Sequence, residues 1–249
     1  MATSKTALLF VGAWLFAGMA EAHDFSDWDS LLKKHVMPAT IAGVRLNAVA
    51  YGKLKTDPQF KKLISGLEKV SPESLKTRQE QLSFWINVYN IMAVKMAVDH
   101  YPLKSIKDAG NLLNPVWKHP VAVVAGKERS LHEVEHQILR PLADPRIHMA
   151  IVCASVSCPD LRLEAFTPER LEIQLEEQVK AFIGNAGKGM WIDASNQKVY
   201  LSSIFKWYEK DFEVLRFLTL YLSPSDQKIL SSGRSKIVYL DYNWSLNGF

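Results

Sequence analysis

The stretch SLHEVEHQILR, Ser130 to Arg140, holds His132-Glu133-Val134-Glu135-His136. It satisfies both the zinc-peptidase pattern H-E-x-x-H and its inverted form H-x-x-E-H. The first form needs Glu133 beside a metal-bound water. Ser130 followed three residues later by Glu133 is a capping box, which already employs that glutamate. On a helical projection Leu131, Val134 and Ile138 mark the buried face, Glu135 falls within it, and Glu133 points to the solvent pole. A zinc site built from His132, His136 and Glu135 is therefore the better-fitting metal reading. It still needs a further ligand, for which Glu164 and His148 are candidates. As an inward-facing carboxylate Glu135 needs a partner in any case, and Arg140, Arg146 or Arg162 could supply it.

A second centre lies in IHMAIVCASVSCPDLR, which carries the only two cysteines, Cys153 and Cys158. One reading is a short-loop disulfide between them. The other is a nucleophile at Cys153, with small neighbours Ala154 and Ser155 leaving room for substrate and backbone N–H groups available for an oxyanion. All seven histidines precede Cys153, so any pair runs His then Cys, and His119, His132, His136 and His148 are the available bases. His136 is the base of choice, with Glu135 or an asparagine orienting it. Asparagines of that kind occur in QLSFWINVYNIMAVKMAV, where Ser83, Asn87 and Asn90 make one polar stripe on an otherwise apolar cylinder. Buried, they hold loop backbone or face a site. The site reading makes Asn87 catalytic and Ser83, Asn90 and Ser155 substrate-binding.

The elements that must carry these groups follow from periodicity. Helices are expected over Phe25–Val36, Pro58–Val70, Arg78–His100 (ended by Pro102), from Leu131, Thr167–Ile183 with Thr167 as N-cap, Ile204–Leu222 and Ser225–Leu230. Val121–Ala125 leads into a hairpin turn at Gly126-Lys127. Met190–Asp193 with Lys198–Leu201 forms a second hairpin, Met149–Cys153 a buried strand ending at the cysteine, and Ile237–Tyr242 a last strand. Short strands among many helices, without βαβ alternation, indicate an α+β fold: one helix-rich domain with a small mixed or antiparallel sheet around a buried central helix.

The chain has 249 residues, 48% of them hydrophobic, enough for a sizeable core. Lys5, an apolar run from Ala7 to Met19 and small residues at Ala20 and Ala22 form the pattern of a secretory signal. Residues 1–22 are expected to be removed, leaving 23–249 as a single exported domain, periplasmic or secreted. Cleavage removes one Lys and one Glu, so the net charge of +4 is unchanged. Thirty basic and twenty-six acidic residues are interspersed, which argues against a nucleic-acid track. No later segment is long and apolar enough to span a membrane.

Four motifs in order, FWINVYN (Phe84–Asn90), SLHEVEHQILR, DPRIHMAIVCASVSCPDLR (Asp144–Arg162) and YLDYNWSLN (Tyr239–Asn247), resemble the domain of unknown function 547 family. Its members look like exported or membrane-associated bacterial proteins and the C-terminal parts of larger plant and animal proteins. The resemblance implies that Glu135-His136 and Cys153 are the recurrent features, that the residue matching His132 varies, and that the second cysteine is often replaced. H-E-x-x-H is then accidental and the disulfide weakened. Three functions follow: a cysteine-dependent hydrolase or acyl transferase acting on a small-molecule or peptide substrate through a peptide, amide or ester bond, without a cofactor; a non-catalytic binding module of the cell envelope; and a zinc-dependent hydrolase.

Overall fold

The structure, a computed structural model, describes residues 24–110 and 115–249. The expected signal segment, residues 1–22, lies outside the described residues. The chain opens with α1 (Ser26–His35) and a hairpin of β1 (Val36–Ile41) and β2 (Val44–Val49). Its two-residue turn, Ala42-Gly43, has positive φ at both positions, the backbone a type I′ turn demands. The periodicity analysis does not anticipate this hairpin. Next come α2 (Tyr51–Leu54) and α3 (Pro58–Gly66), the latter started by the Asp57 side chain accepting from the Gln59 N–H, with Pro58 at its first position.

The central helix α4 (Arg78–His100) is the organising element. Thr77 and Glu80 close a reciprocal capping box at its start. Leu82 to Val94 are buried without interruption, so the helix is surrounded by core on all sides. Around it pack β3 (Pro120–Val124) and β4 (Lys127–Ser130), joined by a positive-φ turn at Ala125-Gly126, and α5 (Leu131–Glu133). α5 runs on as a π-helical turn over Val134–Leu139, ending in a 3-10 turn at Arg140–Leu142. Pro141 has no N–H to continue the ladder, and the Arg140 N–H returns to the Glu135 carbonyl, five residues back.

α6 (Ile147–Ala150) and α7 (Leu171–Ile183) follow. A second core lies between α7 and the three-stranded sheet of β5 (Met190–Asp193), β6 (Lys198–Leu201) and β7 (Lys236–Tyr239), with α8 (Ile204–Trp207), α9 (Val214–Thr219) and α10 (Pro224–Ser231) completing it. β5 and β6 are antiparallel and β7 adds parallel to β6, so the sheet is mixed. α7 spans both cores, with Leu171 and Leu175 in the first and Val179, Phe182 and Ile183 in the second. The fold is α+β, as its pattern of elements indicates.

Three expected elements differ. Met149–Cys153 is not a strand: the helical turn of α6 ends at Ala150 and irregular backbone carries the chain to Cys153. The expected Ile204–Leu222 helix is broken between α8 and α9, where Asp211 pairs with Arg140 and His148. Thr167 does not cap α7, which begins at Leu171, and its N–H donates to the Gln174 side chain instead. Among the described residues, no helix is long and apolar enough to cross a membrane.

Candidate functional site

Cys153 sits on a short connection held from two sides. Asn90 of α4 donates to the Ala150 carbonyl and accepts from the Val152 N–H, fixing the backbone that enters it. The C-terminal segment fixes what leaves it: Val156 N–H donates to Ser245 O at 2.9 Å, Ser157 N–H to Asn243 O, and Asn247 N–H to Ala154 O. Ala154 lies in the left-handed region with φ 58°, so the chain turns sharply directly after the cysteine. The turn lets Tyr242, some ninety residues further on, bring its hydroxyl to 3.2 Å from the Cys153 sulfur.

Both cysteines are free thiols, and their sulfurs lie 2.7 Å apart. Ser155 Oγ stands 3.0 Å from Cys153 Sγ, and the Cys153 N–H donates to Cys158 Sγ. Burial pushes the Cys153 thiol up, but the hydrogen bonds from Cys158, Ser155 and Tyr242 outweigh it, and the net direction is down. Cys158 moves the other way, raised by burial and by its neighbour. Burial, then Cys153 and Cys158, raises the Tyr242 hydroxyl well above its ordinary value. Of the two thiols, Cys153 is the one that ionises first.

The Cys153 thiol opens on a cavity of about 170 Å³. Trp117, Trp207, Trp244 and Tyr208 form much of its wall, and His132, Glu135, His136 and His148 supply its polar groups. The π-helical turn presents Glu135 and His136 to it. Glu135 is buried, its Oε2 receives a 3.2 Å hydrogen bond from the Tyr89 hydroxyl, and its Oε1 has no hydrogen-bond partner. The arginine partner expected for Glu135 is absent: Arg140 forms a two-pronged pair with Asp211, Arg146 is spent on Asp144, Glu172 and Glu176, and Arg162 on Glu164 and Glu177.

His136 is not set as a base. Arg140 Nη1 lies 2.8 Å from His136 Nδ1. A guanidinium can only donate, so Nδ1 keeps its lone pair and the ring proton sits on Nε2. Burial first, then His132 and Arg140, lowers the imidazole below its ordinary value, which keeps it neutral. His136 therefore offers a proton from Nε2, and no hydrogen bond joins it to Cys153, although both line the same cavity. The better-prepared base is His148. Its Nε2 is 2.8 Å from Asp211 Oδ2, which accepts the Nε2 proton and leaves Nδ1 with a lone pair that is buried and unpartnered. His148 stacks on Tyr208 at 3.9 Å, and burial lowers its pKa against the opposing pull of Asp211.

Other sequence-selected residues are placed elsewhere. Asn87 donates to Phe166 O and accepts from Phe166 N, so it ties α4 to the loop before α7 rather than acting on substrate. Ser83 donates to the Glu80 carbonyl within its own helix, and Asn90 acts through backbone as described. Ser155 is buried and turned to the thiol and to Tyr242, not to the cavity. Glu133 pairs with Lys127 and Arg129, and Glu164 with Arg162 and Arg170, so neither joins the histidines. Among the described residues, no three His, Cys, Asp or Glu side chains are grouped so as to hold a metal ion.

Sequence reasoning missed Asp211, the aromatic wall and the contact of Tyr242 with Cys153. The signal for Tyr242 was present in YLDYNWSLN, whose pairing with CASVS only the fold reveals. Searches of curated proteins and of solved structures each found no match. Residues 72–183 match the family described as "Protein of unknown function, DUF547", a span that includes Glu135, His136, His148 and both cysteines and stops short of Asp211 and Tyr242. Through this central segment, which carries both thiols and three imidazoles of the cavity wall, the chain is similar to the DUF547 family.

Proposed function

We propose that the protein is an exported, thiol-dependent hydrolase or acyl transferase, acting at Cys153 on a peptide, amide or ester. The observation that carries this reading is a half-buried thiol at an aromatic cavity with three hydrogen-bonding groups, on Cys158, Ser155 and Tyr242, that lower its pKa. Thiolate stabilised by donors rather than by an adjacent imidazole needs no paired base. In the step we envisage, Cys153 Sγ attacks the acyl carbon, that carbon's bond to the leaving nitrogen or oxygen breaks, and the leaving atom takes from His148 Nδ1 the proton that the thiol gave up. Water or another acceptor then attacks the thioester, giving its proton to His148 Nδ1, which returns it to the sulfur as the thiolate leaves.

The test is labelling of the purified mature protein with a thiol-reactive probe, with and without prior reduction. Labelling of Cys153 near neutral pH without reduction supports the nucleophile, and indifference of both thiols under either condition removes it. The 2.7 Å approach of the sulfurs favours a second reading, in which an oxidising disulfide takes two electrons and two protons from the pair and closes it as a bond. That reading requires labelling only after reduction. Export is tested by N-terminal sequencing of periplasmic or secreted protein, which should begin near His23 and not at Met1.

A further inference from the structure

The cavity beside Cys153 has an unused acceptor. Glu135 is buried, one oxygen receives the Tyr89 hydroxyl, and the other, Oε1, is buried with no partner. A carboxylate left half-satisfied costs free energy unless something else supplies a donor. The nearby guanidinium is committed elsewhere, Arg140 giving Nε and Nη2 to Asp211 and Nη1 to His136, while the Tyr208 hydroxyl, raised by burial and then by Glu135, is the other donor beside the carboxylate. The charges of Arg140 and Asp211 offset one another, so Glu135 leaves the wall with an excess negative charge. The remaining wall is aromatic, with Trp117 and Trp244 at 6.0 Å and Trp207 and Trp244 at 5.6 Å between ring centroids. Such faces attract a cation as well as an apolar body. Lys107 already lies over the Trp244 ring at 4.0 Å.

We infer that this cavity takes an amine-bearing substrate, its ammonium or N–H donating to Glu135 Oε1 and its apolar portion lying against Trp117, Trp207 and Trp244. A cavity of about 170 Å³ is close to the ~150 Å³ that holds a benzene ring, so the recognised group is a primary amine on a body of about that size. The inference deepens the reading of Cys153 as a nucleophile by naming the class of substrate beside it, and it is tested without any reaction.

The experiment is a tryptophan-fluorescence titration of the mature wild-type protein with benzylamine, its neutral counterpart benzyl alcohol, and anionic benzoate. Saturable binding of benzylamine at least tenfold tighter than benzyl alcohol, with benzoate weakest, is expected. Glu135→Gln should remove that tenfold preference. Equal affinities for the three ligands, a preference for benzoate, no saturable binding of benzylamine, or an undiminished amine preference in a folded Glu135→Gln protein would each overturn the assignment. If the variant does not fold, the wild-type series decides alone. Thiol labelling is an independent readout: amine preference without labelling sinks the nucleophile and keeps the amine site, and labelling without amine preference does the reverse.

Discussion

The Cys153 thiol is lowered below its ordinary value by hydrogen bonds that all come from residues after it in the sequence, Cys158 and Ser155 close by and Tyr242 far on. Tyr242 is the most separable of these, because Tyr242→Phe removes the donor and keeps the ring. A hydrogen bond to a charged group contributes about 1.5–3 kcal/mol, and 1.36 kcal/mol corresponds to one pKa unit. Tyr242→Phe is therefore expected to move the midpoint of the pH–labelling profile of Cys153 upward by about one pH unit or more, with little change in melting temperature. An unchanged midpoint would show that the hydroxyl does not bear on the thiolate. Asn87 gives the opposite kind of prediction. Both of its amide groups serve Phe166 backbone in a fully buried setting, so Asn87→Leu, similar in volume, should destabilise the fold by about 1–3 kcal/mol without altering the labelling midpoint of the protein that remains folded. Chemical denaturation measures the first effect and the labelling profile the second.

At the level of elements, the C-terminal segment is the brace of the site. Gly248 is where it approaches β2 and α2 most closely: a Cβ there would stand 2.0 Å from the Val49 carbonyl oxygen and 2.7 Å from the Tyr51 ring. Gly248→Ala should therefore push the segment off Val49, weaken its pairing with Ser155–Ser157 and carry Tyr242 away from Cys153. The expected outcome is a lowered melting temperature together with an upward shift in the labelling midpoint. A stable variant with the wild-type midpoint would mean that Tyr242 is held by Trp207 and Trp244 alone. The π-helical turn is the other element that matters. Its wide turn aligns Glu135 with Arg140 and lets Arg140 reach both His136 and Asp211.

At the scale of the whole molecule, the network His136–Arg140–Asp211–His148 links the two cores, since Asp211 enters from the break between α8 and α9. It makes stability depend on pH with a definite sign. Burial depresses His148, so its folded pKa lies below the unfolded value of about 6.5. The unfolded chain then binds the proton more readily, and the stability present above pH ~6.5 is lost as pH falls from there through the folded value. Asp211, held down by Arg140 and then His148, adds a loss of the same sign below its ordinary value of about 3.9. Melting temperature should thus fall between pH 7 and pH 5, and His148→Gln should make that fall shallower, the rest coming from His136, which burial also depresses. A wild-type protein equally stable across it would show that His148 titrates normally.

The sequence by itself determined the α+β class, the bounds of α4, the two later hairpins, the start of α5 behind its cap Ser130 and the inward aim of Glu135. These are local properties: capping residues, turn glycines and periodicity act within a few positions and leave their mark in the order of residues. The N-terminal hairpin escaped because β1 begins where α1 ends, with no breaker between them. Only the tertiary structure decided that the asparagine stripe serves backbone and that Arg140 takes the lone pair of His136. It alone also placed His148 with Asp211 and brought Tyr242 to the thiol. Each of those depends on a contact between residues far apart in the chain, or on which of several equivalent donors arrives first. Helical spacing shows that a polar side chain turns inward, but the partner that satisfies it is chosen by packing.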